Sequence, residues 1–119
     1  MKIFTSRYGN KALRELDMTK IGISLGKPRW SLGYEVIGNL YNLAPSGSML
    51  DMNDQEAYRV LYEQRVAAVG VAKIRSMLEA LGDGEDVVLL CYEDLRDGSK
   101  WCHRRMFAEW WEGETGEKV

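Results

Sequence analysis

Residues 87–92 read Val-Val-Leu-Leu-Cys-Tyr, an uninterrupted apolar run in the C-terminal half of the chain. A run of this length without alternating polar residues is typical of a strand buried on both faces of a parallel sheet. Two further β-prone segments, residues 2–5 and 20–25, precede it, and turn-forming residues follow each of them. We therefore expect an α/β domain with a small, open, mostly parallel sheet of about three strands flanked by helices.

Two helical regions are expected beside these strands. Apolar residues recur at a spacing near 3.6 over residues 57–81, and the preceding segment 53–56, Asn-Asp-Gln-Glu, matches a capping box with the Asn as cap. Gly70 is predicted to break this span into two pieces, and Gly82 is predicted to end it in a left-handed conformation. Ser99 is predicted to cap a final helix.

The chain is expected to form one domain over residues 1–112, followed by a flexible acidic tail at residues 113–119. Its 119 residues suffice to bury a core, and its 29% charged residues exclude a disordered or low-complexity chain. Residues 26–50 contain both prolines and show no regular period, which predicts a long loop. Trp30 and Tyr34 in this loop are interpreted either as anchors to the core or as rings that stack on a ligand.

The charge balance constrains the partners. The net charge of −2 argues against a nucleic-acid partner, although residues 1–29 hold seven basic and two acidic residues, a net +5 that leaves −7 for the rest. No apolar run reaches the roughly 18 residues of a membrane span, and the N-terminus lacks a secretory hydrophobic region. Two cysteines without an export signal indicate reduced thiols in the cytoplasm.

Cationic, aromatic and sulfur-bearing side chains follow the carboxyl ends of the predicted strands and begin the last helix. In open α/β sheets, ligands bind beyond the carboxyl ends of the strands, and a helix N-terminus favours anions. Guanidinium groups add bidentate hydrogen bonds to the same ligands. The pattern predicts a site for a small phosphate- or nucleotide-like anion. Its ligand-binding candidates are Arg7, Tyr8, Arg29, Cys91 and Arg104.

Cys102 and His103 are the candidates for chemistry, with Glu93 as an orienting carboxylate. A thiol in the first turn of a helix, beside a histidine and arginines, is expected to have a lowered pKa and thiolate character. His103, the single histidine, fits either a general acid or base or a hydrogen bond to a backbone carbonyl. Cys91 fits either a site residue or a small core residue. The cysteine spacing matches no structural zinc pattern, and no cofactor is indicated.

The motif residues resemble those of a known family. Residues 88–93, Val-Leu-Leu-Cys-Tyr-Glu, followed by the triplet Cys-His-Arg at 102–104, are similar to the hallmark of the domain of unknown function 488 family. Residues 5–10 are similar to its first strand and turn. The resemblance implies a small cytoplasmic α/β domain, common in bacteria and their phages. It also implies a single site that contains Cys91, Glu93, Cys102, His103 and Arg104.

Two functions follow as hypotheses. The first is a domain that binds a small anion or nucleotide, with or without catalysis by Cys102 and His103. The alternative is a non-catalytic phage or mobile-element accessory protein that binds a host protein through its acidic tail and an exposed Trp110 or Trp111. Tyr58, Tyr62 and Arg65 are interpreted as a row on a helix surface.

Overall fold

The structure is a computed structural model that describes residues 1–92 and 101–119. Four parallel strands form one sheet in these residues. The strands are β1 (Ile3–Arg7), β2 (Thr19–Gly22), β3 (Gly38–Asn39) and β4 (Val87–Cys91). Their order across the sheet is β1-β4-β2-β3, and all neighbouring pairs are parallel. The predicted α/β class with a small parallel sheet is therefore confirmed.

Strand β4 is buried on both faces, as its uninterrupted apolar sequence predicts. All five of its residues are buried. Val87 and Leu89 belong to the larger core cluster with the helices, whereas Val88 and Leu90 pack with Tyr8 on the other side. Because alternate residues of a strand point to opposite faces, the two clusters lie on opposite faces of the sheet.

Three helices lie in the described residues: α1 (Gln55–Val69), α2 (Val71–Gly82) and α3 (His103–Thr115). The N-cap of α1 is Asp54, whose carboxylate accepts from two backbone amides of the first turn, so the prediction of Asn53 as cap is wrong by one residue. Gly70, at φ 90°, separates α1 from α2 as predicted. Asp83, rather than Gly82, adopts the left-handed conformation that ends α2.

The predicted long loop at 26–50 contains the short strand β3 and two turns of 3-10 helix, at Tyr41–Leu43 and Gly47–Met49. Strand β3 is only two residues long, so it offers no alternating pattern to detect. The Asn39 side chain holds the end of this strand, because its amide donates to the Ser24 carbonyl at 2.7 Å. Gly22 makes room for it, since a Cβ there would lie 2.4 Å from Asn39 Oδ1.

Helix α3 runs through residue 113, where the sequence predicts the flexible tail to begin. It ends at Thr115, and its C-cap is Gly116, in the left-handed region at φ 76°. Glu117 then forms an ion pair with Arg75 at 2.7 Å and accepts from the Trp111 indole at 3.3 Å. Trp111 is fully buried, and Trp110 is partly buried against the same cluster.

No helix of the described residues is both long enough and apolar enough to cross a bilayer. Helix α3 has 13 residues, five of them charged, and the longest described helix, α1, has 15 residues.

Candidate functional site

The sheet has a crevice at its carboxyl edge, between β4 and β2. After β2, the chain packs on the face that carries Val88 and Leu90, through residues 32–36. After β4, helix α3 packs on the opposite face, against Val87 and Leu89. Connections that leave neighbouring strands toward opposite faces open a crevice, and open α/β sheets bind their ligands in such crevices.

A cleft of about 420 Å³ occupies this crevice. Its volume lies within the range of small-molecule sites in proteins. Cys91, Cys102 and His103 are buried in its wall. Leu50 and Tyr92 are exposed at its rim. The walls are mainly apolar and aromatic. The lining consists of Ser24, Leu25, Gly26, Pro45, Met49, Leu50, Met52, Tyr58, Cys91, Tyr92, Trp101, Cys102 and His103.

His103 is held by a backbone hydrogen bond at the base of the cleft. Its Nε2 contacts the Ile23 carbonyl, which only accepts, so Nε2 carries the proton. Burial lowers the pKa of His103 to about 4, and the positive charge of Arg104 acts in the same direction. The imidazole is therefore neutral at pH 7. Its Nδ1 is left as an acceptor, 3.4 Å from Cys102 Sγ.

Cys102 is a protonated thiol rather than the thiolate that the sequence predicts. A side-chain hydrogen bond with Cys91 and burial raise the pKa of Cys102. The backbone amide and the charge of Arg104 lower it, as expected for a helix N-terminus, but they are outweighed. The predicted lowering of the Cys102 pKa is therefore wrong. The helix start and the arginine can be predicted from the motif, but the interaction with Cys91 and the burial of Cys102 cannot.

Tyr8 lies behind the wall of the cleft, on the opposite face of the sheet. Its hydroxyl shares a 2.8 Å hydrogen bond with Ser24, and its ring centroid is 4.9 Å from that of Tyr92. Arg29 is exposed in the loop after β2. Partial burial raises the pKa of Tyr92, whereas the positive charge of Arg29 lowers it. Arg29 therefore lies close enough to Tyr92 to place positive charge at the rim of the cleft.

Two other predicted arginines lie close to the cleft but outside its described lining. Arg7 ends β1, is half-buried and is in register with Cys91 of β4. Arg104 is buried in the first turn of α3. Glu93 and Ser99 lie outside the described residues, and the prediction of Ser99 as the cap of the final helix is wrong, because the N-cap of α3 is Cys102. The structure thus brings Cys91, Cys102 and His103 into one lining and places the cationic candidates around it.

Tyr58 was expected on a helix surface but forms part of the cleft. It is buried, and its ring packs edge-on against Trp101 with the centroids 4.7 Å apart. Tyr62 is also fully buried and donates to the Leu43 carbonyl at 2.7 Å, so the expected surface row is wrong for both tyrosines. The spacing of Tyr58, Tyr62 and Val66 at every fourth position was the signal for this buried stripe.

No metal site accompanies these residues in the described part of the chain, where no three His, Cys, Asp or Glu side chains are placed to share an ion. Comparison of the chain with known protein families, with curated proteins and with solved structures gives no match. The resemblance to the domain of unknown function 488 family stays a prediction from the motif residues.

Proposed function

We propose that the protein binds a small phosphate- or nucleotide-like anion in the cleft at the carboxyl edge of the sheet. This proposal depends on one observation: aromatic side chains and the N-terminus of α3 line the same crevice between β4 and β2. Tyr58, Tyr92 and Trp101 offer flat apolar surfaces to a ring. The first turn of α3 offers backbone amides and partial positive charge to an anion.

The charges of α3 support an anionic ligand. Its first turn contains no acidic residue but includes Arg104 and Arg105, which is unfavourable for an isolated helix N-terminus. Its N-cap is Cys102, a weak acceptor in place of the usual Ser, Thr, Asp or Asn. A bound anion would stabilise both features. Arg29 adds positive charge at the rim beside Tyr92.

Cys102 and His103 supply a chemical step in the catalytic form of this proposal. When Cys102 Sγ attacks the phosphorus of the ligand, the S–P bond forms, the P–O bond to the leaving group breaks, and the thiol proton passes by way of Nδ1 of His103, the acceptor 3.4 Å away, to the departing oxygen. The Ile23 carbonyl orients the imidazole through Nε2, which is the part that a carboxylate plays in other dyads. Because the resting thiol is protonated, the transfer of its proton to His103 accompanies the attack.

Thermal unfolding of the reduced protein tests the binding proposal. Inorganic phosphate, AMP, ATP and the uncharged nucleoside adenosine are compared. A ligand present at about 100 times its Kd adds about 2.7 kcal/mol to the free energy of unfolding, which is a clear rise in Tm. We expect a rise with at least one anion and a smaller one with adenosine. No rise with any of the four, up to millimolar concentrations, contradicts the proposal.

Two variants locate the bound ligand. Tyr92→Ala removes one aromatic wall and is expected to weaken binding about tenfold, which corresponds to about 1.4 kcal/mol. Arg105→Gln removes an exposed charge from the first turn of α3 and is expected to weaken anion binding about two- to fivefold. Lys73→Gln is the matched control, because Lys73 is exposed on α2 and outside the cleft lining. Equal weakening by the control means that binding is non-specific.

A further inference from the structure

Two cysteine side chains lie in the wall of the cleft. Cys91 and Cys102 both line it and interact with each other, although ten residues separate them in the chain. Cys91 is the last residue of β4, and Cys102 is the N-cap of α3. Neither forms a disulfide, and both are buried, Cys102 at 6% exposed and Cys91 at 1%.

We propose that Cys91 and Cys102 form a redox modification site, at which hydrogen peroxide or an organic hydroperoxide produces an intramolecular disulfide. A disulfide requires two thiols that can approach each other, and the walls of one cleft bring the side chains of Cys91 and Cys102 together. The inference concerns the protein's own thiols in the absence of ligand. It therefore stands apart from the proposed binding of an anion.

The reaction proceeds in two balanced steps. Cys102 Sγ attacks one peroxide oxygen, the O–O bond breaks, and the sulfur is oxidised to a sulfenic acid. The thiol proton passes to His103 Nδ1 and then to the leaving oxygen, which departs as water or an alcohol. Cys91 Sγ then attacks the Cys102 sulfur, the S–S bond forms, and the S–O bond breaks. The hydroxyl leaves as water with the Cys91 proton.

The surroundings of the two sulfurs set the order of these steps. Cys102 Sγ lies 3.4 Å from Nδ1 of the neutral imidazole, so a proton acceptor is in place for the first attack. Cys91 interacts with the side chain that is oxidised and lines the same cleft, so it is placed to resolve it. The interaction with Cys91 and burial keep the pKa of Cys102 raised and the thiol protonated, so we expect slow oxidation by peroxide and a rate that rises with pH.

Peptide mapping of the full, wild-type chain tests the inference without any variant. The reduced protein is treated with hydrogen peroxide, alkylated with iodoacetamide and digested with trypsin without a reductant. Cleavage after Lys and Arg places Cys91 in peptide 76–96 and Cys102 in peptide 101–104. We expect these two peptides to appear joined, with two hydrogen atoms lost, in a monomeric protein, and to separate on addition of dithiothreitol.

Three results of this map would overturn the inference. They are recovery of both peptides as separate alkylated species, accumulation of sulfinic acid on Cys102 with Cys91 still alkylated, and a disulfide-linked dimer in place of the monomer. A protein that fails to bind any of the tested anions can still give the joined peptides. Failure of the proposed function and failure of this inference are therefore distinguishable.

Two serine variants test the order of the steps. Cys91→Ser lacks the resolving thiol, so we expect sulfenic acid to persist on Cys102, where dimedone traps it. Cys102→Ser removes the first nucleophile, and we expect dimedone labelling of Cys91 to be at least tenfold slower. Equal labelling in the two variants would overturn the assigned order. Circular dichroism and Tm confirm that each variant is folded.

Discussion

Lowering the pH is expected to destabilise the protein through His103. The ring is 6% exposed, and burial lowers its pKa from 6.5 to about 4 in the folded chain. Between these two values, the unfolded chain binds a proton that the folded chain does not bind. The free energy of unfolding therefore falls as the pH falls from 6.5 towards 4. At about 1.36 kcal/mol for each pKa unit, this contribution reaches about 3 kcal/mol near the folded pKa.

Urea unfolding of the wild type and of His103→Gln at pH 7 and at about pH 4.5 isolates this effect. Carboxylates titrate in both proteins, so their contribution cancels in the difference. We expect the stability of the wild type relative to the variant to fall by about 2 kcal/mol between the two pH values. A uniform loss of stability in the variant does not affect the comparison, because only the change with pH is used.

NMR spectroscopy of the imidazole provides a direct measurement, because the chain has a single histidine. The ring nitrogens should report a neutral tautomer with the proton on Nε2 and little titration above about pH 5. A ring that titrates near pH 6.5, a proton on Nδ1, or parallel pH dependence of the two proteins would contradict this account. A proton on Nδ1 would also remove the acceptor assigned to the Cys102 proton.

Three further predictions concern stability and reactivity. Gly22→Ala places a Cβ against the Asn39 side chain and should lower the free energy of unfolding in urea by about 1–3 kcal/mol. The control is Gly47→Ala, whose Cβ meets no atom within 4 Å and should change that free energy by less than about 0.5 kcal/mol. Asp54→Ala should cost about 1 kcal/mol by removing the cap of α1, and an equal loss in Asn53→Ala would contradict this assignment. Since its pKa is raised, Cys102 of the folded chain should react with iodoacetamide at pH 8 at least tenfold more slowly than Cys102 of the urea-unfolded chain. Mass spectrometry follows the alkylation, and equal rates would show an ordinary thiol.

The elements that depend on local patterns could be predicted from the sequence. The apolar run at 87–91 is buried on both faces, and Gly70 separates two helices, as expected from hydrophobic pattern and backbone freedom. The capping of α1 was predicted one residue early, because Asn53 and Asp54 are both competent acceptors. Local sequence does not decide between two such neighbours.

Local patterns are enough to predict the α/β class, the inner strand and the position of Cys102 and His103 at a helix start, because burial periodicity and turn residues act over a few neighbours. The strand order β1-β4-β2-β3, the interaction of Cys91 with Cys102, and the neutral state of the imidazole emerge only from the three-dimensional fold. Each of these depends on groups that are distant in the sequence. The interaction of Cys102 with Cys91 and the burial of Cys102 are properties of the assembled fold, and together they outweigh the lowering of the Cys102 pKa by the helix start and by Arg104.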